Sequence, residues 1–433
     1  MSSWSLAEQS DRFKIKYGKL ADKVFNAANP INMQIKKTED FVGKQIVDDN
    51  PLGYSGSVGS GVLPKANAGT YANSILTSKK IYARVIVDRE AMKASSTSEG
   101  AFFKFMDKPV KDALDSFDRN MSRMFFGDGT GILGYGKAGA ANVTGNGTVA
   151  TPYVVTFAAD KWHEANFEEK DYVQVVTGVN ATTGLGGTAE GGTSETNLLE
   201  IVEVLPASRV IKLVGTSAIL AARVAAPAPL GATDAICMQK SYLTDFTGLR
   251  LGSRLSEAFD AGTTGLTLFG IPLQRRWRMY VVDNGGAALT KADLNKMAIG
   301  IEKRCGKAIT MIAPSYEQFT KMLDLSEDQK RYTIVKPANK AYANYGFEAV
   351  EYMTTTGPVP VIPDRMIKAD EIWFLNKNYI EYRLRPGGAQ WAEEDGTVFL
   401  RLADQDMYEA RYACYGELSY GPTYHGHLKN LAV

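Results

Sequence analysis

A long amphipathic segment, residues 98–126, most constrains how this chain can fold. Its apolar residues between Met106 and Phe125 recur at steps of three and four, which is the spacing of one α-helical face. Ser98 is a suitable N-cap and Gly127 a suitable C-cap, so the helix is predicted to extend for roughly 40 Å. The opposite face is predicted to be polar and includes Asp107, Lys111, Asp115, Asp118, Arg119, Ser122 and Arg123.

Composition excludes several classes of function. The 433 residues contain 49 basic and 48 acidic side chains, a balance that argues against a strongly basic nucleic-acid binder. The three cysteines, Cys237, Cys305 and Cys414, fit no zinc spacing or disulfide framework and favour a reducing compartment. The start of the chain lacks a signal-peptide pattern, and its longest alanine-rich tract is broken by charge and proline. We therefore expect no membrane span, and two or three subdomains.

Two segments before the long helix are predicted to have little core of their own. Residues 5–26 form an amphipathic helix with a lysine-rich face, which either docks on its own subunit or is an arm that packs on a neighbour. We predict two extended strands, residues 41–47 and 71–88, joined by a Gly/Ser-rich tip. Together they would form a long hairpin. Two strands alone are marginal in water, so the hairpin is predicted to need another surface.

The rest of the chain is predicted to be mixed α and β. Residues 138–213 contain short strands and Gly/Thr-rich loops, which indicate a small β-rich insertion. Residues 290–323 predict a capped helix, a buried strand and a second helix. The tail predicts two long strands, residues 371–384 and 407–418. The predicted fold class is α+β.

No catalytic constellation emerges from the sequence. Residues 131–137 match GxxxxGK, but Ala138 replaces the Ser/Thr and the segment follows a helix, so we interpret it as a glycine-rich turn. His425 and His427 alone do not make a zinc site, and three histidines offer no Ser/His/Asp arrangement. We therefore predict no catalytic residue, no metal site and no cofactor.

An arginine cluster is the remaining candidate for binding. Arg275, Arg276 and Arg278 flank Trp277, and on a strand Arg276 and Arg278 would share one face. A base-stacking site is one reading. In a neutral chain, an ion-pairing face between subunits is the reading that we favour.

The order of these parts resembles the major capsid proteins of tailed bacteriophages, which have the Hong-Kong-97-type fold. Residues 50–95, which include TSKKIYARVIVDREAMKAS, look like that family's extended loop leading into a helix. Residues 98–126 look like its spine helix, and FFGDGTGILG (residues 125–134) like the turn that follows. Residues 290–323 look like the helix–strand–helix of its axial domain, and YEARYACYGELSYGPTYHGHL (residues 408–428) like its closing strand.

The resemblance implies a domain plan. It comprises an N-terminal arm (1–45), an extended loop (46–88), a peripheral domain with the spine helix (89–137), a β-rich insertion (138–217), an axial domain (218–365) and closing peripheral strands (366–433).

The resemblance also implies a function. Copies would assemble through hexamers and pentamers into an icosahedral shell that encloses double-stranded DNA without sequence-specific binding. The spine helix would begin too early to leave room for a built-in scaffolding segment, so a separate scaffolding protein is expected. A portal protein is a further implied partner, a cement or decoration protein is left open, and assembly would take place in the bacterial cytoplasm.

The predicted assembly contacts involve the spine helix, the extended loop and the arginine cluster, namely Asp115, Phe117, Arg119, Lys65, Tyr82, Arg84, Arg276 and Arg278. Three alternatives stay open at this point. These are an encapsulin-like compartment of the same fold, a binding or adhesion protein that uses the β-rich region, and an enzyme that binds phosphates at residues 131–137.

Overall fold

The computed structural model describes residues 30–53, 69–89, 99–137, 142–158, 162–180, 185–190, 197–225, 230–231, 233–327, 350–355, 357–392, 400–401 and 406–433. Within the long helix, side chains are described from Val110 onward. The predicted helix at residues 5–26, the hairpin tip with Lys65, and the cap Ser98 lie outside these ranges.

The described helices are α1 (Pro30–Gln34), α2 (Glu99–Phe125), α3 (Ala218–Ala225), α4 (Leu249–Asp260), α5 (Lys291–Cys305) and α6 (Tyr316–Glu327). The strands before α3 are β1 (Lys36–Thr38), β2 (Gln45–Gly53), β3 (Thr70–Thr77), β4 (Lys79–Asp88), β5 (Ile132–Tyr135), β6 (Val143–Thr144), β7 (Tyr153–Thr156), β8 (Tyr172–Thr177), β9 (Thr188–Ala189), β10 (Leu199–Leu205) and β11 (Val210–Gly215). The later strands are β12 (Ala235–Met238), β13 (Thr267–Leu268), β14 (Ile271–Pro272), β15 (Tyr280–Asp283), β16 (Met311–Pro314), β17 (Val350–Thr354), β18 (Gly357–Val361), β19 (Ile372–Leu375), β20 (Ile380–Trp391), β21 (Leu400–Arg401), β22 (Met407–Tyr420) and β23 (Gly426–Lys429).

The spine helix α2 packs on one face of a five-stranded sheet built from β1, β20, β21, β22 and β4. Its predicted apolar face is confirmed where side chains are described, since Val110, Leu114, Phe117 and Met121 are all buried. Phe117 meets Tyr412 of β22 edge-on, with ring centroids 4.9 Å apart. Such pairs stabilise a core beyond the area that they bury.

The prediction that the polar side of α2 faces solvent is wrong near the C-terminal end of the helix. Asp118, Ser122 and Arg123 are buried, and Asn32 Nδ2 donates to Ser122 Oγ at 3.4 Å. Arg123 forms a buried ion pair with Asp245 at 2.7 Å. The helix also ends without a left-handed residue at Gly127, since the first glycine after it with positive φ is Gly129.

The predicted hairpin is shorter than expected. β2 and β3 pair as an antiparallel ribbon, but β4 leaves that ribbon and pairs with β22 along its full length. Residues 79–88 therefore belong to the sheet under the spine helix rather than to the extended loop. The predicted alternation in β4 is confirmed, with Ile81, Val85 and Val87 buried and Tyr82 exposed.

The β-rich region forms an eight-stranded sheet in the order β5-β12-β8-β10-β11-β7-β6, with β9 on β8. This sheet is wider than the predicted range 138–217, because its strands β5 and β12 lie outside that range and pair with each other. Leu220 of α3 packs into its core, among valines and isoleucines from the central strands.

A six-stranded sheet in the order β15-β23-β19-β16-β18-β17 packs against α5 and α6. The predicted cap of α5 is confirmed, with a Thr290–Asp293 capping box and a left-handed Gly306. β19 and β23 come from residues 366–433, which we predicted to be peripheral. The predicted closing strand is thus two strands, β22 and β23, which lie in different sheets.

None of the described helices combines the length and the apolar character that a membrane crossing requires.

Candidate functional site

A cavity of about 290 Å³ lies at the C-terminal end of the spine helix, beside α4, β5 and β23. Its walls carry ionisable side chains from distant parts of the chain, and we call this cluster the charged junction. It comprises Arg123, Asp128, Asp245, Arg250, Ser253, Arg254, Glu371 and His427.

The centre of the charged junction is Glu371, which is buried. Arg250 holds both of its carboxylate oxygens, with N–O distances of 2.5 and 2.8 Å. Its Oε2 also lies 3.4 Å from His427 Nε2. Burial disfavours the charged form of Glu371, but Arg250 and His427 outweigh this and hold its pKa well below the ordinary range.

The remaining acids of the charged junction are also paired with arginines. Asp128 binds Arg254, and Asp245 binds Arg123. Burial raises the pKa of Asp245, although Arg123 acts against that shift. These pairs balance positive with negative charge, so they fix the relative positions of the elements that carry them.

The structure brings together a serine, a histidine and a carboxylate, which sequence reasoning did not foresee. Ser253 Oγ lies 2.7 Å from His427 Nδ1, and His427 stacks on Trp373 with ring centroids 3.9 Å apart. This geometry fits a neutral imidazole that accepts a hydrogen bond from the Ser253 hydroxyl on Nδ1 and carries its proton on Nε2, which lies 3.4 Å from Glu371 Oε2. The three residues are far apart in sequence, so no local spacing could have revealed them.

This trio is arranged for structure rather than for nucleophilic catalysis. A catalytic serine is presented at an exposed turn, whereas Ser253 lies inside α4 with its side chain buried. Glu371 forms an ion pair with Arg250, and the imidazole of His427 stacks on the ring of Trp373. We conclude that the trio joins α4 to β19 and β23.

His425 and His427 are both buried and contact groups of their own subunit. His425 Nδ1 accepts a hydrogen bond from the backbone N–H of Asn376 at 3.2 Å, and burial lowers its pKa to about 3. Burial also lowers the pKa of His427, although Glu371 opposes that shift. Across the described ranges, no group of three or more His, Cys, Asp or Glu residues is placed to hold a metal ion.

The GxxxxGK segment is not a phosphate-binding loop. Residues 132–135 form the strand β5 in the eight-stranded sheet, rather than the predicted turn. A Cβ on Gly136 would lie 2.1 Å from the carbonyl oxygen of Leu230. The glycine is therefore required for close packing of two backbones.

Two of the predicted assembly residues of the spine helix contact their own subunit instead. Phe117 is 2% exposed, so it contributes to the core of its own chain. Arg119 binds Glu168 at 2.7 Å and also Asp171, so its guanidinium is used within the subunit. Asp115 is exposed.

The arginine cluster lies in a turn between β14 and β15 rather than on a strand. Arg278 binds Asp260 and lies over the ring of Phe259, so it is used within the subunit. The side chain of Arg276 is exposed on this turn. The face that the two side chains would have shared on a strand is therefore absent.

Tyr82 and Arg84 lie on the solvent face of β4. The Tyr82 hydroxyl is 3.2 Å from that of Tyr415, and Arg84 binds Glu409 at 3.0 Å. The side chain of Arg84 is still 50% exposed.

The β2–β3 hairpin carries an apolar face that the described part of the subunit leaves uncovered. Val47 lies directly opposite Ile75, and their exposed fractions are 48% and 44%. Tyr71 on the same ribbon is 63% exposed. Exposed apolar stripes of this kind are typical of protein–protein contacts.

Comparison with known proteins gives independent evidence about the family and the fold. Residues 244–418, less than half of the chain, match the family model described as the SU10 major capsid protein. No curated protein matches the chain.

The fold matches solved phage capsids at low sequence identity. The chain is similar to a structure described as the cyanophage A-1(L) capsid asymmetric unit, with 11% identity, coverage of 95% of this chain and 93% of that chain, and a TM-score of 0.51. A capsid of an empty GTA particle gives 9% identity, 94% and 97% coverage and a TM-score of 0.42. The cyanophage match carries the fold assignment, because it spans nearly all of both chains with the higher score.

With the spine helix on its sheet, the hairpin and the six-stranded domain, the chain has the fold of the cyanophage capsid subunit, the Hong-Kong-97-type fold that the sequence led us to expect. Residues 244–418 are also similar to the SU10 major capsid protein, so the family match and the shared fold both agree with the capsid resemblance. Both of these similar structures are described as capsids, and neither is described as an encapsulin or an adhesin.

Proposed function

We propose that this chain assembles through hexamers and pentamers into a closed icosahedral shell of the virion. The observation that carries this proposal is the β2–β3 hairpin. It pairs with no third strand among the described residues, and its apolar residues Val47, Ile75 and Tyr71 face solvent. The other face of the hairpin packs on its own subunit, since Leu76 is buried, so the exposed apolar face is the one that a second surface would cover.

A neighbouring subunit supplies that surface in this proposal. The hairpin acts as the extended loop. Of residues 1–45, which were predicted to form an arm, the described part packs on its own subunit, because Ile31 and Ile35 are buried and β1 pairs with β20. Tyr82, Arg84, Asp115 and Arg276 remain proposed contact residues, because their side chains are exposed on a single chain. Phe117 is omitted, since it belongs to the core of its own subunit.

The proposed partners follow from the shell. A separate scaffolding protein guides assembly, a portal protein occupies one vertex, and a cement protein is an additional candidate. The shell encloses double-stranded DNA, and the near balance of 49 basic and 48 acidic residues suits a wall that does not bind it tightly. The three free cysteines agree with assembly in the bacterial cytoplasm.

The role proposed here is structural rather than catalytic. The charged junction holds its ionisable groups in ion pairs, and its serine–histidine pair is buried inside the subunit. In this proposal the same groups stabilise the packing of helix α4 against the six-stranded sheet that contains β19 and β23.

Negative-stain electron microscopy of the purified protein, alone and with its proposed scaffolding protein, tests this function. Closed shells, or rings of five or six subunits, are the expected result. A monodisperse monomer under all conditions would contradict the proposal.

A further inference from the structure

A cleft of about 900 Å³ lies between the eight-stranded region and the six-stranded sheet. One wall comes from the segment 162–169 and the β10–β11 turn, and the other from the start of α6 and the segment 365–370. The two walls meet where His163 Nε2 lies 2.9 Å from the carbonyl oxygen of Arg365. A cleft of this size can accept several side chains of a peptide segment.

Both walls of the cleft present apolar surface. Tyr316 is 45% exposed on one wall, and Pro206 and Ala207 are exposed on the other. Trp162 stacks on Phe167 with ring centroids 4.7 Å apart, so its indole is held in place where it lines the cleft. The cleft can therefore bury apolar side chains on both sides.

The charged side chains of the cleft are mostly acidic. Five carboxylate side chains line it, against three from lysine or arginine, namely Glu164, Glu168, Glu169, Glu317 and Asp370 against Arg209, Arg365 and Lys368. Glu168 binds Arg119 but keeps 55% of its side chain exposed. Such a surface favours a segment that combines apolar side chains with an excess of positive charge.

Residues 5–26 have the opposite balance of charge, with five basic and three acidic side chains. Phe13, Tyr17, Leu20 and Val24 recur at steps of four, three and four, the spacing of one helical face. The segment lies outside the described residues. The sequence thus predicts a helix whose apolar face and basic side chains both match the cleft.

The described chain begins near this cleft on its own subunit. The Tyr382 hydroxyl donates to Asn32 Oδ1 at 3.0 Å. Burial raises the pKa of Tyr382, and the nearby Asp364 contributes to that shift. The next residue, Arg365, lines the cleft. Since the chain from residue 26 to residue 30 can span up to about 14 Å, the predicted helix is within reach of the cleft of the same chain.

We propose that residues 5–26 dock in this cleft of their own subunit, with their apolar side chains against Trp162 and Tyr316 and their lysines beside the carboxylates. The docked segment ties the eight-stranded region to the six-stranded sheet. It is thus a contact within one subunit rather than an arm on a neighbour. The docking goes beyond the proposed shell and does not depend on it, because it takes place in a single subunit.

Disulfide trapping in dilute, unassembled subunits tests the docking. Lys19→Cys or Lys23→Cys is combined with Glu169→Cys or Glu317→Cys, all in a Cys305→Ser background because the other two cysteines are buried. We expect at least one of these pairs to form an intrachain disulfide about tenfold faster than a control pair, because docking raises the local thiol concentration.

The control pair carries Val149→Cys in place of the cysteine in the cleft. Val149 is 84% exposed. It lies near the end of β11 that is remote from the cleft, since the Gly215 N–H at that end donates to the Gly147 carbonyl at 2.9 Å. A thiol there is accessible but far from the proposed position of the segment.

Differently tagged chains that each carry one cysteine of a pair separate docking within a subunit from docking on a neighbour. Intrachain disulfides without mixed-tag dimers are the expected result. Mixed-tag dimers in place of intrachain disulfides, or no pair above the control rate, would overturn the docking. Either outcome leaves the proposed shell function intact, because that function is judged by whether particles form.

A charge on the apolar face provides the second measurement. Leu20→Asp in the best-trapping pair should lower the rate about tenfold, to that of the control, because it places a carboxylate against apolar surface. Asn26→Asp adds the same charge on the opposite side of the predicted helix and should change the rate by less than about twofold. Equal effects of the two variants would overturn the assignment of the apolar face to the cleft.

Discussion

Ser253 and His427 are joined through Oγ and Nδ1 at 2.7 Å, which ties helix α4 to strand β23 across the charged junction. Ser253→Ala should lower the free energy of unfolding by about 1–3 kcal/mol, because it leaves a buried imidazole nitrogen without its partner. Chemical denaturation of the subunit measures this change.

The matched control is Ser208→Ala, at an exposed position in a short turn of helix. It should change the free energy of unfolding by less than about 0.5 kcal/mol. Equal effects of the two variants would refute the assignment of Ser253 to a stabilising contact.

Glu371→Gln should destabilise the subunit by about 3–5 kcal/mol at neutral pH, since it leaves the buried Arg250 without its counter-charge. The pKa of Glu371 is depressed in the folded state, so its contribution is fully present above the ordinary glutamate pKa of about 4.3. It is lost as the pH falls through the depressed value. The gap between wild type and variant should therefore close in acid.

Thermal unfolding of both proteins across this pH range gives the comparison. The exposed Glu317→Gln serves as the control and should follow the wild-type curve. A gap that is independent of pH would show that Glu371 is not the titrating group.

Asp364→Asn should stabilise the subunit near neutral pH. Burial raises the pKa of Asp364 to about 6 in the folded state, so stability is lost as the pH rises from the ordinary aspartate pKa of about 3.9 to that value, and the full loss is present at neutral pH. The asparagine keeps an oxygen that can accept the hydrogen bond from Met366 N–H, at 2.8 Å in the wild type. The expected gain is on the order of 1–3 kcal/mol at neutral pH and vanishes below about pH 4.

The exposed Asp324→Asn is the control for that experiment and should show no pH-dependent gain. A loss of stability for Asp364→Asn at neutral pH would contradict the prediction.

Phe117→Asp and Ile75→Asp should separate folding from assembly. Phe117 packs against Tyr412 in the core, so a charge there should prevent soluble folding. Ile75 keeps 44% of its surface exposed on the hairpin, so its variant should fold normally and fail to form particles. Circular dichroism and electron microscopy of the two proteins measure the two effects.

A folded, monomeric Phe117→Asp protein would place that side chain at a subunit contact after all. Normal particles from Ile75→Asp would show that the hairpin face is not used in assembly.

The parts of the fold that follow a local repeat could be predicted from sequence. The spine helix shows its apolar period, β4 alternates, and α5 carries both of its capping residues. The order of these parts also supported the capsid resemblance. In each case the deciding interactions lie within a few residues of each other.

Helix α4 was missed for a physical reason. Its sequence contains Gly252, Ser253 and Ser256, which are weak helix formers, and all three are buried. Tertiary contacts such as the Arg250–Glu371 pair, 121 residues apart, stabilise it. No local pattern encodes such contacts, and for the same reason the charged junction could not be predicted.

The first and last strands of the eight-stranded sheet along the chain, β5 and β12, pair with each other. Gly134 of β5 lies opposite Ile236 of β12, and Met238 N–H donates to the Gly131 carbonyl at 3.3 Å. A segment whose two ends meet can be removed or exchanged with little change in the path of the remaining chain. Another domain could therefore replace this one while the spine helix and the other two large sheets keep their connections.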